Sequence, residues 1–308
     1  MDRFYCRSSA RSDLHAVISR AQAEENAIPA LCTKNLEKCS STPAPTHEPA
    51  MLQLVRDDEE TVYRIFGLVS VRSLPPFPQR FHEGNPPKEY LKQQVVVTGL
   101  GDDLFEDQVL CLSNLAKGFE TTPLFLQKSL ADLQHSAFEQ FSAICAGTRL
   151  FVNREAAPSA TEVPFEDGVD DRGLLTAFKA DNLTHTTDNV VEYREQRASD
   201  SGIRAIKPSA IQVGDLIELH ICIRWPLIGQ SKLATVINLL RVTKISDSHR
   251  RAALALRRAS VRSTDNSPQQ RVLKRPRLPP LAEDGVEHMR QNLNELHLPH
   301  AKRTKESK

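Results

Sequence analysis

The segment QVGDLIELHICIRW, residues 212–225, decides the fold because apolar and polar side chains alternate strictly from Ile217 to Trp225. One face carries Ile217, Leu219, Ile221, Ile223 and Trp225. The other face carries Glu218, His220, Cys222 and Arg224. Successive side chains of a β-strand point to opposite faces of the sheet, so this period of two predicts a long strand with one buried face. We expect its polar face to lie against water.

A second predicted strand follows across a short turn, in the segment KLATVINLLRVTKI, residues 232–245. Its middle is apolar on both faces, which is typical of a strand near the centre of a sheet. The two segments therefore predict a β-hairpin. Five other segments have the composition or spacing of strands: residues 60–73, 93–99, 148–155, 173–180 and 189–196.

Two segments between these strands predict helices. Residues 104–117 stop at Gly118, where a glycine commonly follows the last helical residue. Residues 122–147 begin with Thr-Pro, and their apolar side chains recur at intervals of three and four. We therefore predict an α+β body over residues 51–246, with a mixed or antiparallel sheet or a small β-barrel-like arrangement and two main helices.

The two ends of the chain are predicted to flank this body. Residues 1–50 read as a mostly disordered arm with one short helix, and residues 247–308 as a basic, largely disordered tail with short helices. Of the 40 cationic and 39 anionic side chains, 14 and 7 fall within 246–308, a net charge of +7. The remaining 26 cations and 32 anions leave residues 1–245 with a net charge of −6. This split predicts contacts of the tail with acidic partners or transport receptors.

No segment satisfies the spacing of a known catalytic or cofactor motif. The strongest resemblance to one is VVVTGLGDDLF, residues 95–105, a strand, a Gly-x-Gly turn and a helix start. A dinucleotide fold needs a third glycine where Leu104 stands, and Asp102 and Asp103 would repel a pyrophosphate. An acid-capped helix after a strand explains the segment instead. We therefore predict no catalytic residue, no cofactor and no metal site.

The remaining composition indicates a protein of a reducing compartment that does not span a membrane. The six cysteines are scattered without a close pair, which does not fit a disulfide framework. No apolar run approaches the roughly 18 residues of a membrane span, and the N-terminal residues show no secretory signal. We expect a protein of the nucleus or, alternatively, of the cytoplasm.

The basic tail contains the candidate functional residues. The segment LKRPRLPP, residues 273–280, resembles a one-part nuclear import signal centred on Lys274, Arg275 and Arg277. Two serines resemble kinase acceptors: Ser260 within LRRASV, and Ser267 before a proline. Phosphate contacts with nucleic acid are possible for four arginines of the tail: Arg250, Arg251, Arg257 and Arg258.

The hairpin region resembles a segment of an uncharacterised protein family of mushroom-forming (basidiomycete) fungi. The resemblance covers about residues 189–248, with a V-V-E-Y strand, a V-G-D-x-[IV]-E turn and strand, and an LLR-like second strand. The matching residues are Val190 to Tyr193, Pro208, Ile211, Val213 to Asp215, Ile217, Glu218 and Leu239 to Arg241. The family carries no assigned activity, so the resemblance implies an origin and no function.

These observations predict a non-enzymatic nuclear interaction protein. Its expected partners are a nuclear import receptor, which reads the tail, and a protein of unknown identity. Two alternatives remain: a protein that binds nucleic acid without sequence preference through its tail, and an enzyme of unknown class. A cavity that joins His220 or Cys222 to a carboxylate of another element would favour the enzyme.

Overall fold

A computed structural model describes residues 1–38, 42–45, 51–57, 59–77, 91–118, 129–131, 136–155, 157–196, 202–228 and 232–265. The helices within these ranges are α1 (Arg7–Ala23), α2 (Thr33–Lys38), α3 (Asp103–Gly118), α4 (Leu174–Phe178) and α5 (Ser248–Asp265). The strands are β1 (Thr42–Pro45), β2 (Met51–Arg56), β3 (Glu59–Glu60), β4 (Val62–Ser73), β5 (Lys92–Thr98), β6 (Ser129–Ala131), β7 (Ser136–Phe138), β8 (Phe141–Arg149), β9 (Val152–Asn153), β10 (Leu183–Thr184), β11 (Glu192–Gln196), β12 (Ile203–Ala205), β13 (Leu216–Ile228), β14 (Lys232–Ala234) and β15 (Val236–Ser246). The fold is mixed α+β, which confirms the predicted class.

One large, mostly antiparallel sheet organises the described residues. Its main path runs β12-β11-β15-β13-β4-β5-β8-β7, and β9 and β10 form a separate pair. Along this path only β11 and β15 are parallel. The hydrogen-bonded path ends at β12 and β7, so the sheet is open, in contrast to the barrel-like alternative. Its curvature still brings β8 close to β15, where the Thr148 hydroxyl accepts a hydrogen bond from the Leu239 N–H at 3.0 Å.

The predicted hairpin is confirmed, because β13 and β15 pair antiparallel along most of their length. The apolar face of β13 is buried throughout, from Ile217 to Trp225. The polar face differs from the expectation of contact with water. His220 is 8% exposed and Cys222 is fully buried. Around Glu218 and His220, the end of α1 and residues 24–28 line a cavity over this face.

The N-terminal helix lies within residues 1–50, which the sequence assigned to a mostly disordered arm with one short helix. Along one face, α1 buries Ala10, Leu14, Ile18 and Ala21. These side chains join the same core as β4 and β13, so residues 1–38 belong to the folded body. A period of 3.6 residues identified the helix but contained no information about the sheet that covers it.

Helix α3 follows β5 as predicted. The Asp102 carboxylate accepts hydrogen bonds from the N–H groups of Leu104 and Phe105, at 3.0 and 3.1 Å, which confirms the acid cap. Gly99 is required by packing, because a Cβ atom there would lie 2.4 Å from Phe105. The Gly-x-Gly turn is therefore closed by an aromatic ring where a dinucleotide would need space.

Two predicted elements are wrong. The helix expected over 122–147 is replaced, in its described part, by β6, β7 and β8. Seven residues of β8 pair with β5, and Glu139 turns the chain with a φ of 55° before β8 begins. The strand expected over 173–180 is instead the short helix α4. In both segments tertiary pairing and capping override the local pattern.

The compact unit spans Met1–Ser260 and is larger than the predicted body of 51–246. The basic helix predicted after the hairpin is present as α5, and Ala253 of α5 lies in the core. A smaller apolar cluster forms beneath the loops of residues 157–185, around Leu150 and Phe151. Among the helices that the structure describes, none has the length and apolarity to span a membrane.

Candidate functional site

Two polar residues of β13, His220 and Glu218, each lie in a row that crosses four strands. In the first row His220 stands opposite Arg64 of β4 on one side and Arg241 of β15 on the other. Arg241 in turn stands opposite Glu192 of β11. Side chains at such positions point to the same face of a sheet and lie within contact distance. The register therefore places one guanidinium group on each side of the His220 imidazole.

The second row lies one pleat along the strands. Glu218 stands opposite Phe66 of β4 and Thr243 of β15, and Thr243 stands opposite Arg194 of β11. The two rows together form the floor of a cavity of about 420 Å³. The end of α1 and the segment after it form its wall, with Arg20, Glu24 and Asn26. We call this space the arginine cavity.

Cations outnumber carboxylates in this lining. The cations are Arg20, Arg64, Arg194 and Arg241, and the carboxylates are Glu24 and Glu218. Glu192, outside the lining, lies 2.7 Å from Arg194 and 2.6 Å from Arg241. Burial alone would raise the pKa of Glu192, but these two arginines hold it below its ordinary value. Even with Glu192 included, the cavity keeps an excess of positive charge.

Arg64 is the most buried cation of the cavity, at 8% exposure. Its Nη2 lies 3.4 Å from the carbonyl oxygen of Ala21 and 3.7 Å from Glu24. Its Nε has no hydrogen-bond partner within the part of the chain that the structure describes. Burying a donor without a partner is costly, so a hydrogen-bond acceptor that reached this guanidinium would lower that cost.

His220 is held between two fixed partners. A guanidinium only donates, so Nδ1 of His220 accepts from Arg241 Nη1 at 3.5 Å. Nε2 therefore carries the proton and donates it to the Glu218 carboxylate at 2.7 Å. Both ring nitrogens are engaged, so His220 orients Glu218 and Arg241 and has no free nitrogen to act as a base.

The other two polar residues of β13 lie outside the arginine cavity. Burial, followed by the charge of Glu60, raises the pKa of the Cys222 thiol to about 12. A thiol with this pKa stays protonated at neutral pH and is a poor nucleophile. Arg224 pairs with both carboxylate oxygens of Glu60, at 2.7 and 3.1 Å. Neither residue offers a reactive group.

Some of the candidate functional residues of the tail lie within the described residues, and others do not. Lys274, Arg275, Arg277 and Ser267 lie outside the described residues. Ser260 lies half-buried in α5, and Arg251, Arg257 and Arg258 of the same helix are exposed.

Arg250, by contrast, is committed to two carboxylates. Its Nε lies 2.6 Å from Asp215 and its Nη2 lies 3.1 Å from Asp247. Because Asp215 is fully buried, this pair belongs to the body. The contact of Arg250 with nucleic acid stays a prediction.

Sequence reasoning named His220 and Glu218 but missed the arginines around them. Arg64 and Arg241 are single charged residues within apolar strand segments, and this is the signal that was available. Their meeting depends on strand register, which a single sequence does not reveal.

The fold and the cavity together define an α+β protein with an open sheet and an arginine-lined cavity. A scan against known protein families finds no match, and a search of curated proteins returns no relative.

Proposed function

We propose that the protein is a non-enzymatic nuclear interaction protein whose body binds an acidic segment of a partner protein in the arginine cavity. The observation that carries the proposal is Arg64, a buried guanidinium whose Nε lacks a partner within the described residues, in a cavity with excess positive charge. Guanidinium groups favour carboxylates and phosphates because their planar donors match two acceptor oxygens.

The chemistry of the lining favours binding over catalysis. Among the described residues that line the cavity, Thr243 is the only hydroxyl, and there is no cysteine, lysine or tyrosine. His220 shares the cavity with Glu24 of another element, as the enzyme hypothesis required, but both of its nitrogens are engaged. A nucleophile and a free base are the parts that most hydrolytic and transfer mechanisms need.

The position of the cavity at a sheet edge favours an extended ligand. β12 is the terminal strand of the hydrogen-bonded path, and Ile203 of β12 is 59% exposed and lines the cavity. An extended peptide can pair with an exposed edge strand and direct alternate side chains to one face. An acidic side chain on that face would reach Arg194 first and Arg64 behind it.

Binding of an acidic peptide tests the proposal directly. We expect the full chain to bind acetyl-Val-Glu-Val-Glu-Val-amide in a titration calorimeter, and Arg64→Gln to weaken this binding about tenfold, as the loss of one charge-assisted hydrogen bond predicts. Arg194→Gln, at a more exposed position, guards against a folding defect of the first variant. Arg11→Gln removes an exposed charge from α1 outside the cavity and is expected to bind like the wild type.

Two results of that titration would contradict the proposal. One is equal binding of the glutamine counterpart of the peptide. The other is equal affinity of the Arg64, Arg194 and Arg11 variants. Binding of duplex DNA alone, with a steep dependence on salt, would favour the alternative function, in which exposed Arg251, Arg257 and Arg258 contact phosphates.

The nuclear part of the proposal rests on residues 274–277. We expect replacement of Lys274, Arg275 and Arg277 by alanine to abolish nuclear accumulation of a fluorescent fusion, because import receptors read clustered cations. The tag has to be large, since a chain of 34.5 kDa alone can enter by diffusion. The matched control replaces Lys302, Arg303 and Lys305, three cations of the same tail. Equal distribution of the two variants in cell imaging would refute the import signal.

Phosphorylation is proposed as a modulator of this tail. Phosphate on Ser260 or Ser267 adds nearly two negative charges beside the arginines that precede each serine in sequence.

Truncation experiments that separate body from tail are best placed after Asp265. A cut after Ser246 would remove Arg250 and Ala253, which belong to the body.

A further inference from the structure

A second cavity lies on the loops of residues 162–185, and its charge is opposite to that of the arginine cavity. Its volume is about 600 Å³. The carboxylates that line it are Glu162, Glu166, Asp167, Asp170 and Asp171. Lys179 is the one lysine or arginine among the described lining residues, and no residue is shared with the arginine cavity. We call this space the acidic cavity.

His185 is the feature that distinguishes this cavity from a solvated acidic loop. The residue lines the cavity and is only 3% exposed. Its Nδ1 lies 2.8 Å from the carbonyl oxygen of Leu150, which only accepts, so Nδ1 carries the proton. Nε2 is then an acceptor, and it has no hydrogen-bond partner within the described chain. Burial lowers the pKa of His185, so the ring stays neutral and Nε2 keeps its lone pair at pH 7.

An aromatic ring lies directly against this imidazole. The ring centres of Phe165 and His185 are 4.3 Å apart, and Phe165 is half-buried in the same lining. The N–H of Val163 donates to the His185 carbonyl at 2.9 Å, which fixes the two segments side by side. The face of an aromatic ring attracts cations as well as apolar chains. The cavity thus combines a ring face, a free acceptor and several carboxylates.

The carboxylates differ in how far they are already neutralised. Lys179 and, after it, Arg154 hold the pKa of Glu162 below its ordinary value. Asp171 is paired with Lys207 at 2.9 Å. Asp170 and Glu166 have no cation within ion-pair distance in the described part of the chain.

Asp170 uses its oxygens at the start of α4, where it accepts from the N–H groups of Leu175 and Thr176. Glu166 is exposed and is the carboxylate that remains free to meet a ligand.

We propose that the acidic cavity binds an organic ammonium group, whose N–H donors are accepted by His185 Nε2 and Glu166 and whose carbon chain packs on Phe165. A metal ion fits less well, because the described residues contain no group of three His, Cys, Asp or Glu side chains arranged as ligands. An ammonium needs no such convergence. Its sources are a lysine side chain of another protein or a free polyamine.

The experiment uses the full chain labelled with ¹⁵N, with three probes followed by nuclear magnetic resonance. The probes are acetyl-Ala-Lys-Ala-amide, spermidine, and acetyl-Ala-norleucine-Ala-amide as the neutral counterpart. We expect a saturable shift of the His185 Nε2 signal and of backbone amides within 162–185 with the lysine peptide, with spermidine, or with both. A response to the peptide alone identifies a lysine side chain as the source, and a response to spermidine alone identifies a free amine.

Matched variants assign the response to the cavity. Glu166→Gln is expected to weaken binding about fivefold to tenfold, through loss of one charged acceptor. Glu155→Gln removes an exposed charge outside the cavity and is expected to leave the affinity unchanged. His185→Phe keeps a ring beside Phe165 and is expected to weaken binding about tenfold. Its fold is checked by the amide spectrum outside 150–185.

Three outcomes would overturn the proposal. The first is a response to the norleucine peptide as strong as that to the lysine peptide. The second is no response to either amine at the His185 signal. The third is equal affinity of the Glu166 and Glu155 variants. Because the arginine cavity shares no lining residue with this one, failure here leaves the acidic-peptide titration unaffected, and the reverse also holds.

Discussion

Replacing Arg250 by methionine is expected to lower the free energy of unfolding by about 3 kcal/mol at pH 7, because it strands a buried carboxylate without its cation. Asp215 is fully buried, and its Oδ1 lies 2.6 Å from Arg250 Nε. Its other oxygen accepts the Gln212 N–H at 2.8 Å, which shapes the turn that leads into β13. Urea denaturation with linear extrapolation measures the loss.

The dependence of this loss on pH follows from the direction of one pKa. Burial raises the pKa of Asp215 above its ordinary value although Arg250 lies beside it. A carboxyl group with a raised folded pKa contributes most to stability below its unfolded pKa of about 3.9, and this contribution is lost as pH rises through the folded pKa. Without Arg250 the folded pKa rises further. The difference between variant and wild type is therefore expected to grow from pH 4 to pH 7.

Arg251→Met is the matched control. The Arg251 side chain is 75% exposed, and its ion pair with Asp247 is long, at 3.9 Å. Its expected effect is within about 0.5 kcal/mol. The double variant Asp215→Asn with Arg250→Met removes both charges and is expected to recover part of the loss. Equal losses for the Arg250 and Arg251 variants, or a loss that does not change with pH, would contradict the role given to Asp215.

Replacing Phe105 by alanine is expected to destabilise the protein by about 4 kcal/mol, through lost apolar burial and the cavity left behind. Phe105 is fully buried on α3, in contact with the backbone of Gly99. A Cβ atom at Gly67 of β4 would lie 3.1 Å from the same ring, so two glycines provide space for it. The surrounding strands cannot close over the missing ring without breaking their pairing.

The control for this prediction lies on the same helix. Leu110 of α3 is 54% exposed, and Leu110→Ala is expected to change the free energy of unfolding by less than about 0.5 kcal/mol. Thermal unfolding followed by circular dichroism compares the two variants. A Phe105 variant as stable as the Leu110 variant would mean that α3 is not anchored by this ring.

The sequence predicts those elements whose pattern and tertiary role agree. Strand β13 is recognisable because its alternation matches a buried face, and α3 because Asp102 and Gly118 mark its ends. Strand β8 is not recognisable, because residues such as Phe141 and Ile144 also fit a helical stripe. Pairing with β5 decides between the two, and that pairing is a long-range interaction.

The sequence did not predict the candidate site, because it placed the polar face of β13 against water and the candidate functional residues in the tail. His220 and Glu218 stand out on the polar face of one strand. Arg64 is more than 150 positions away in the chain, and only the register of β4 against β13 brings it opposite His220. The wall of the cavity comes from α1, which the sequence assigned to an arm. The site could not be predicted from the sequence because it is assembled by long-range pairing between strands.

The N-terminal segment and α1 contact residues more than 200 positions later in the chain, which has a consequence for biosynthesis. The Tyr5 hydroxyl donates to the Gly214 carbonyl, 209 residues later, and Asp13 pairs with His249, 236 residues later. At about 5 to 20 residues per second, a ribosome needs roughly 10 to 50 seconds to make those partners. During that interval Leu14 and Ile18 of α1 can contact β4, but β13 and β15, which complete the same core, are still missing or incomplete. The body can thus complete its core only after β13, β15 and the start of α5 have been made, and until then part of the apolar face of α1 stays uncovered.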